Sequence, residues 1–178
     1  MYIDRGYQRG VLSGDWLGAG LYFWLDAPAK AREWGHHVTG GGVGKSSTSR
    51  GDGVTVMMAE LQFNEHWIDL LESGPWLERF RDAARKLEAL GLLPRQTSNL
   101  AASALHYRDC ALIEETINAA ARAGYRVDAI RCAFLEGSPV APDSAIYDKS
   151  HVQIAVRNPN VILRTALMDN TAELPAEG

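Results

Sequence analysis

Cysteine is scarce in this chain: two residues among 178, Cys110 and Cys132. Both stand in apolar-periodic segments, and neither has a CxxC partner or a neighbouring histidine. A disulfide scaffold and a cysteine-rich zinc site are therefore excluded, and buried reduced thiols are expected. An excess of basic residues is missing too. The formal charge of -4 argues against a protein that coats nucleic acid or an acidic membrane, with a local basic groove around the arginines of positions 79–95 left open. No apolar run approaches the ~20 residues of a membrane span, and the first residues lack the basic-then-apolar layout of a signal peptide. The expectation is a soluble, cytoplasmic protein. The five histidines (His36, His37, His66, His106, His151) are adjacent or scattered, which offers no metal constellation. A GxSxG elbow is also absent.

What is present is enough apolar residue, 46%, for one core in a chain of this length. One domain is expected over 1–168, followed by a polar, frayed tail over 169–178. Residues 1–14 carry only weak apolar periodicity, as a helix or an extended lead-in. The stretch Asp15 to Trp34, DWLGAGLYFWLDAPAKAREW, is the most informative. Gly18 and Gly20 flank Ala19, so backbone can approach a ligand there without side-chain cost. Alternation from Gly20 places Tyr22 and Trp24 on one face of a short strand, with Leu21 and Phe23 on the other. Asp26 reads as an N-cap and Pro28 as a first-turn residue of a helix running to about Val38, with Ala29, Ala31 and Trp34 turned inward. Such a turn, strand and helix would form one wall of a small-molecule cleft, although Tyr22 and Trp24 read equally well as core aromatics.

Thr39 to Gly53 is glycine, serine and charge, a loop. Gly44-Lys45-Ser46 ends like a phosphate-binding P-loop, but position 39 holds Thr39 in place of the first glycine, and a helix precedes where a strand should. It is read as a linker. From Val54 to Phe63 the chain alternates, with Thr55, Met57, Ala59, Leu61 and Phe63 on one side and Glu60 and Gln62 on the other. Pro75 opens an amphipathic helix whose stripe is Trp76, Leu77, Phe80, Ala83, Ala84, Leu87 and Leu90, ending at Gly91 and Pro94. Thr97 to Leu105 reads as a connector, and Asp109 as the cap of a second helix ending at Gly124. Further strands are expected over Val127–Phe134, His151–Arg157 and Val161–Leu167. A two-proline loop precedes the second of these, and the turn Asn158-Pro159-Asn160 separates it from the third. This order predicts an α+β domain with helices on a mainly antiparallel sheet. On His151–Arg157, Gln153 and Arg157 share a face opposite Val152, Ile154 and Val156. Composition alone reads that polar face as a solvent-facing edge, and Glu136 as a turn residue or a cleft carboxylate.

GAGLYFW followed by APAKAREW resembles the second motif of the ADP-ribosyltransferase superfamily, of the poly-ADP-ribose polymerase type. VQIAVRNPNVI is similar to that family's third motif. The combination WLGxGxYFW, VDxxRxxFxEG and HxQIAVRNP also resembles a group of uncharacterised bacterial ADP-ribosyltransferase-like proteins, in the right order over most of the chain. The resemblance implies a mainly antiparallel split sheet with flanking helices, and NAD as a substrate without a metal. It implies nicotinamide stacked on Tyr22 and closed by Trp34, Gly18 and Gly20 at the cofactor, and Gln153 at the catalytic glutamate's position. The loop Leu135–Ser150 would recognise the substrate, and Glu136 is the nearest alternative acid. The activity implied is cleavage of the nicotinamide–ribose bond with transfer of ADP-ribose to a protein or nucleic-acid target, as in a toxin or phage-defence effector, for which an antitoxin is a candidate partner. Two departures stand out. No histidine precedes Asp15, so the family's first motif has no counterpart: the chain starts late or has lost it. An amide at 153 also lacks the charge of a carboxylate, which is worth orders of magnitude where electrostatics dominate. The alternative is a catalytically inactive relative that binds a nucleotide or a protein.

Overall fold

The computed structural model describes residues 15–39, 54–72, 74–94 and 103–168. The expectations for residues 1–14, for the tail from 169, and for the glycine-serine loop with its P-loop-like Gly44-Lys45-Ser46 lie outside them. In chain order the elements are β1 (Leu21–Trp24), α1 (Pro28–Thr39), β2 (Met57–Leu61), β3 (Trp67–Asp69), α2 (Pro75–Ala89), α3 (Ser103–Arg122), β4 (Ala129–Phe134), β5 (His151–Val156), a 3-10 turn (Pro159–Val161) and β6 (Ile162–Leu167). This is a mixed α+β chain with two sheets. Sheet A runs β1-β5-β4-β3 and sheet B pairs β2 with β6. Every pairing is antiparallel except β3 with β4.

The registers sort sheet A into two faces. Tyr22 pairs with Ala155 and Trp24 with Gln153, while Ala155 lies opposite Ile130 and Gln153 opposite Cys132. That face is covered by helix: Ile113 and Ile117 of α3 and Phe80 of α2 pack against Ile68, Ile130, Ala155 and Leu17. The other face presents Phe23, Ile154, Val156, Ala129 and Trp67 to Leu61 and Ile162 of sheet B. The result is three layers, α2 with α3, then sheet A, then sheet B, which buries both faces of β5.

The structure corrects several local expectations. β5 lies between β1 and β4 with Ala155 fully buried, so the face carrying Gln153 and Arg157 is not a solvent edge. β3 went unpredicted because three residues are too short for a period to show. Before β2, Val54 and Val56 are buried and Thr55 is exposed, and after it Phe63 is exposed, the reverse of the alternation read across that segment; the expected phase holds only over Met57–Leu61. Asp26 is not the α1 cap: the Ala27 carbonyl accepts from Lys30 and Ala31 N–H, and Asp26 sits at φ 49. In α1, Ala29 and Trp34 face outward and Gly35 is buried. Asp109 lies within α3, which begins six residues before it. α2 starts at Pro75 as expected and stops before Gly91, at φ 66, but Leu77 and Leu90 are exposed. The described arginines of this region are engaged locally. Arg81 and Arg85 pair with Glu78 and Asp82 on their own helix, and Arg79 lies over the rings of Trp76 and Tyr125.

Candidate functional site

The opening turn is held by its own protein. Tyr22 donates its hydroxyl hydrogen to the Gly18 carbonyl at 2.7 Å and accepts from Leu17 N–H at 2.9 Å. Its ring packs against the helix-covered core. Burial, aided by the Asp15 charge, pushes the phenol well above its ordinary range, so it stays protonated. Gly18 and Gly20 approach protein atoms. A Cβ at Gly18, where φ is +74, would collide with Glu114 Oε1, and one at Gly20 would lie 3.0 Å from the Val156 carbonyl. Glu114 of α3 accepts from Ala19 N–H at 3.1 Å. It also takes a bidentate pair from Arg157 at 2.7 and 3.1 Å, and Arg157 in turn donates to the Ala19 carbonyl at 3.0 Å. Arg157, predicted with Gln153 on one polar face, thus clamps the glycine turn to α3. Gly18→Ala forces a left-handed residue and displaces Glu114, so a loss of about 2 kcal/mol is expected. A urea midpoint lowered at unchanged m-value measures it; a change within about 0.5 kcal/mol would show that the clamp does not depend on the glycine.

The aromatic opposite Gln153 is Trp24, one strand over, and Trp24 contacts Trp34 of α1 with ring centroids 6.2 Å apart. On the same strand His151 stands two residues from Gln153, and the period of two puts both on one face. The Gln153 amide nitrogen lies 2.8 Å from His151 Nε2, while His151 Nδ1 lies 2.8 Å from the Lys149 carbonyl. The carbonyl only accepts, so the network assigns the hydrogen to Nδ1 and leaves Nε2 to accept from the amide. The Gln153 NH2 is thereby turned to His151, and its carbonyl oxygen is left to accept from another group.

Glu136 Oε2 lies 3.4 Å from His151 Nδ1. It is placed by the hairpin that follows β4. Lys149 N–H bonds the Glu136 carbonyl at 3.1 Å, Ser138 N–H bonds Asp148 Oδ1 at 2.8 Å, and Pro139 bridges Tyr147. Gly137, at φ 88, could not be replaced without meeting Asp148 and Lys149. A Lys149–Glu33 bond of 2.6 Å ties this hairpin to α1 beside Trp34. Trp16 stands 4.1 Å from the Phe134 ring and 6.5 Å, stacked, from His151. Cys132, across from Gln153, is pushed up to about 11 by burial, which keeps the thiol protonated and removes it as a nucleophile at neutral pH.

Of the site residues expected from sequence, the structure brings Gln153, Glu136 and Trp34 into one neighbourhood. It sets Gly18 and Gly20 in the adjoining turn and Tyr22 on β1, with its hydroxyl bonded back into that turn. His151 and Trp16 were missed, and Trp24 was read only as the strand-mate of Tyr22. The signal for His151 was its spacing, since His-x-Gln on a strand places two polar side chains together on one face. Among the described residues no group of histidine, cysteine or carboxylate side chains could hold a metal ion, and no helix is long and apolar enough to cross a membrane. No family model, curated protein or solved structure matches the chain.

Proposed function

We propose that the chain is an NAD-dependent ADP-ribosyltransferase whose site is the aromatic and polar cluster at the start of β5. One observation carries this reading: Gln153, His151 and Glu136 converge beside the Trp24–Trp34 pair. The two indoles offer faces for a planar nicotinamide ring. The Gln153 carbonyl is a ribose-hydroxyl acceptor held in one orientation by His151. Glu136 supplies the negative charge that an amide at 153 lacks, placed to stabilise the cationic sugar centre. In the reaction the bond from ribose C1′ to the nicotinamide nitrogen breaks, and its electron pair leaves with nicotinamide. A target oxygen or nitrogen, or water, then forms the new bond to C1′ and gives up a proton to Glu136 or solvent. Tyr22 serves by bracing the turn beneath the site.

NAD at tenfold over its Kd is expected to raise the melting temperature by roughly 3–5 °C. Trp34→Ala, at an exposed position, should remove most of that shift without lowering the unliganded melting temperature. The absence of any shift at millimolar NAD would sink the proposal. The amide at 153 favours a second reading, NAD binding without turnover, and nicotinamide release over a long incubation at high protein concentration separates the two.

A further inference from the structure

His151 and Gln153 form a bond in which only one side can be the donor. Nδ1 of the ring must carry a hydrogen, because the atom 2.8 Å from it is the Lys149 carbonyl oxygen. Nε2 of the neutral ring is then an acceptor, and the Gln153 NH2 donates to it across 2.8 Å. A second proton makes the ring a donor at both nitrogens, and Nε2–H would meet an amide that also donates. The amide escapes by turning over about its terminal torsion, which is broad and roughly two-fold, so no backbone moves. Its oxygen then accepts from the imidazolium, a stronger bond than the one replaced because the donor is charged. The NH2 takes the place that the oxygen held.

The surroundings admit the charge. The His151 side chain is only 1% exposed, but Glu136 Oε2 stands 3.4 Å from Nδ1. The Lys149 ammonium is drawn off to Glu33 of α1 at 2.6 Å. Cys132 of β4, opposite Gln153, is kept a neutral thiol by burial and by the Asp109 carboxylate of α3. The rings of Trp16 and Phe134 cover the flanks.

We propose that protonation of His151 inverts the Gln153 amide, and that this proton switch regulates the site at the start of β5. The inversion stands on the hydrogen bonds alone, whereas its effect on turnover rests on the transferase reading. With His151 neutral, the Gln153 oxygen turns the negative end of the amide dipole toward the cationic sugar. With His151 charged, the NH2 faces the same place with a cation behind it, so acid turns the site off.

The test is a titration of the unliganded, ¹⁵N-labelled protein from about pH 8 to about pH 5, the interval in which imidazole ordinarily changes charge. The Gln153 side-chain NH2 signals, assigned through Gln153→Met, should move with the same midpoint as the His151 ring nitrogens. In His151→Phe, which keeps a buried ring, they should not respond. Gln153→Met needs no change at His151 and gives an independent check: the ring midpoint should fall, because the imidazolium has lost its acceptor. Nicotinamide release should drop about tenfold per pH unit below the ring midpoint, and that break should vanish in His151→Phe. The proposal is overturned if the ring nitrogens do not change over this range, if they change while the Gln153 signals stay still, or if those signals respond equally in His151→Phe. Release that passes through the ring midpoint without a break overturns the regulation. Failure of NAD to bind counts against the transferase reading and leaves the amide inversion measured.

Discussion

Asp128→Ala is expected to destabilise the protein by about 3 kcal/mol, the largest loss from any single side chain outside the apolar core. Asp128 is fully buried. Its carboxylate receives Arg126 Nε at 2.7 Å, Asn158 Nδ2 at 2.9 Å and Asn64 Nδ2 at 3.5 Å. Its backbone carbonyl accepts from the N–H groups of Arg157 and Asn158, and its own N–H bonds the His66 carbonyl. One residue therefore joins the approach to β3, the start of β4 and the turn that carries the chain from β5 in sheet A to β6 in sheet B. Alanine leaves the backbone bonds in place but strands the Asn158 and Asn64 amides, and that desolvation accounts for most of the loss. A shift in the urea midpoint, followed by tryptophan fluorescence, measures it; a loss below about 1 kcal/mol would mean that the backbone bonds alone secure the turn.

The same carboxylate sets part of the response to acid. Burial raises its pKa, but the hydrogen bonds from Asn158 and Arg126 outweigh this and hold it below the ordinary carboxylate range. Asp69 is lowered in the same way, with Arg131 and the Leu71 N–H prevailing over burial. A carboxyl whose folded pKa is depressed stabilises the fold above its unfolded value, about 3.9, and that stability is lost as pH falls through the folded value. Acid unfolding should therefore steepen below about pH 4. Its slope should be shallower in Asp128→Ala, which has already lost the contribution.

Asp128 also marks how far the sequence could be read. An acid inside the apolar run VDAIRCAF was visible, but beyond the neighbouring Arg126 its partners lie 30 and 64 residues away, and no period in the chain encodes them. Where periodicity is long it was sufficient: α2, β4, β5 and β6 stand close to where alternation or the helical stripe puts them. It failed at β3, too short to alternate, and it misread the surroundings of β5, because Gln153 and the Arg157 that follows the strand mimic a wet edge. Arg157 escapes that reading through Glu114 on α3 and the Ala19 carbonyl, partners that local sequence cannot reveal. The candidate site divides in the same way. Gln153 and Trp34 were singled out by resemblance, and Glu136 as the nearest alternative acid. The geometry that puts Trp24 rather than Tyr22 opposite Gln153 depends on the β1–β5 register, a long-range pairing.

Glu136→Gln is expected to lower nicotinamide release about 100-fold, roughly 2.7 kcal/mol of transition-state stabilisation. The NAD-induced rise in melting temperature should persist, because an amide at this half-exposed position retains the contacts and loses only the charge. On the proposed function, labour at the start of β5 is divided. Gln153 can accept a ribose hydroxyl but cannot oppose positive charge, so the carboxylate 3.4 Å from His151 must do so if turnover occurs at all. Gln153→Glu then becomes the discriminating companion. In the Glu136→Gln background it should restore much of the lost rate by placing a carboxylate on the strand itself. A Glu136→Gln protein with undiminished release would transfer the role to another group. If the unmodified protein binds NAD and releases no nicotinamide while Gln153→Glu does, the site is one that holds its ligand in a reactive arrangement and lacks only the charge at position 153.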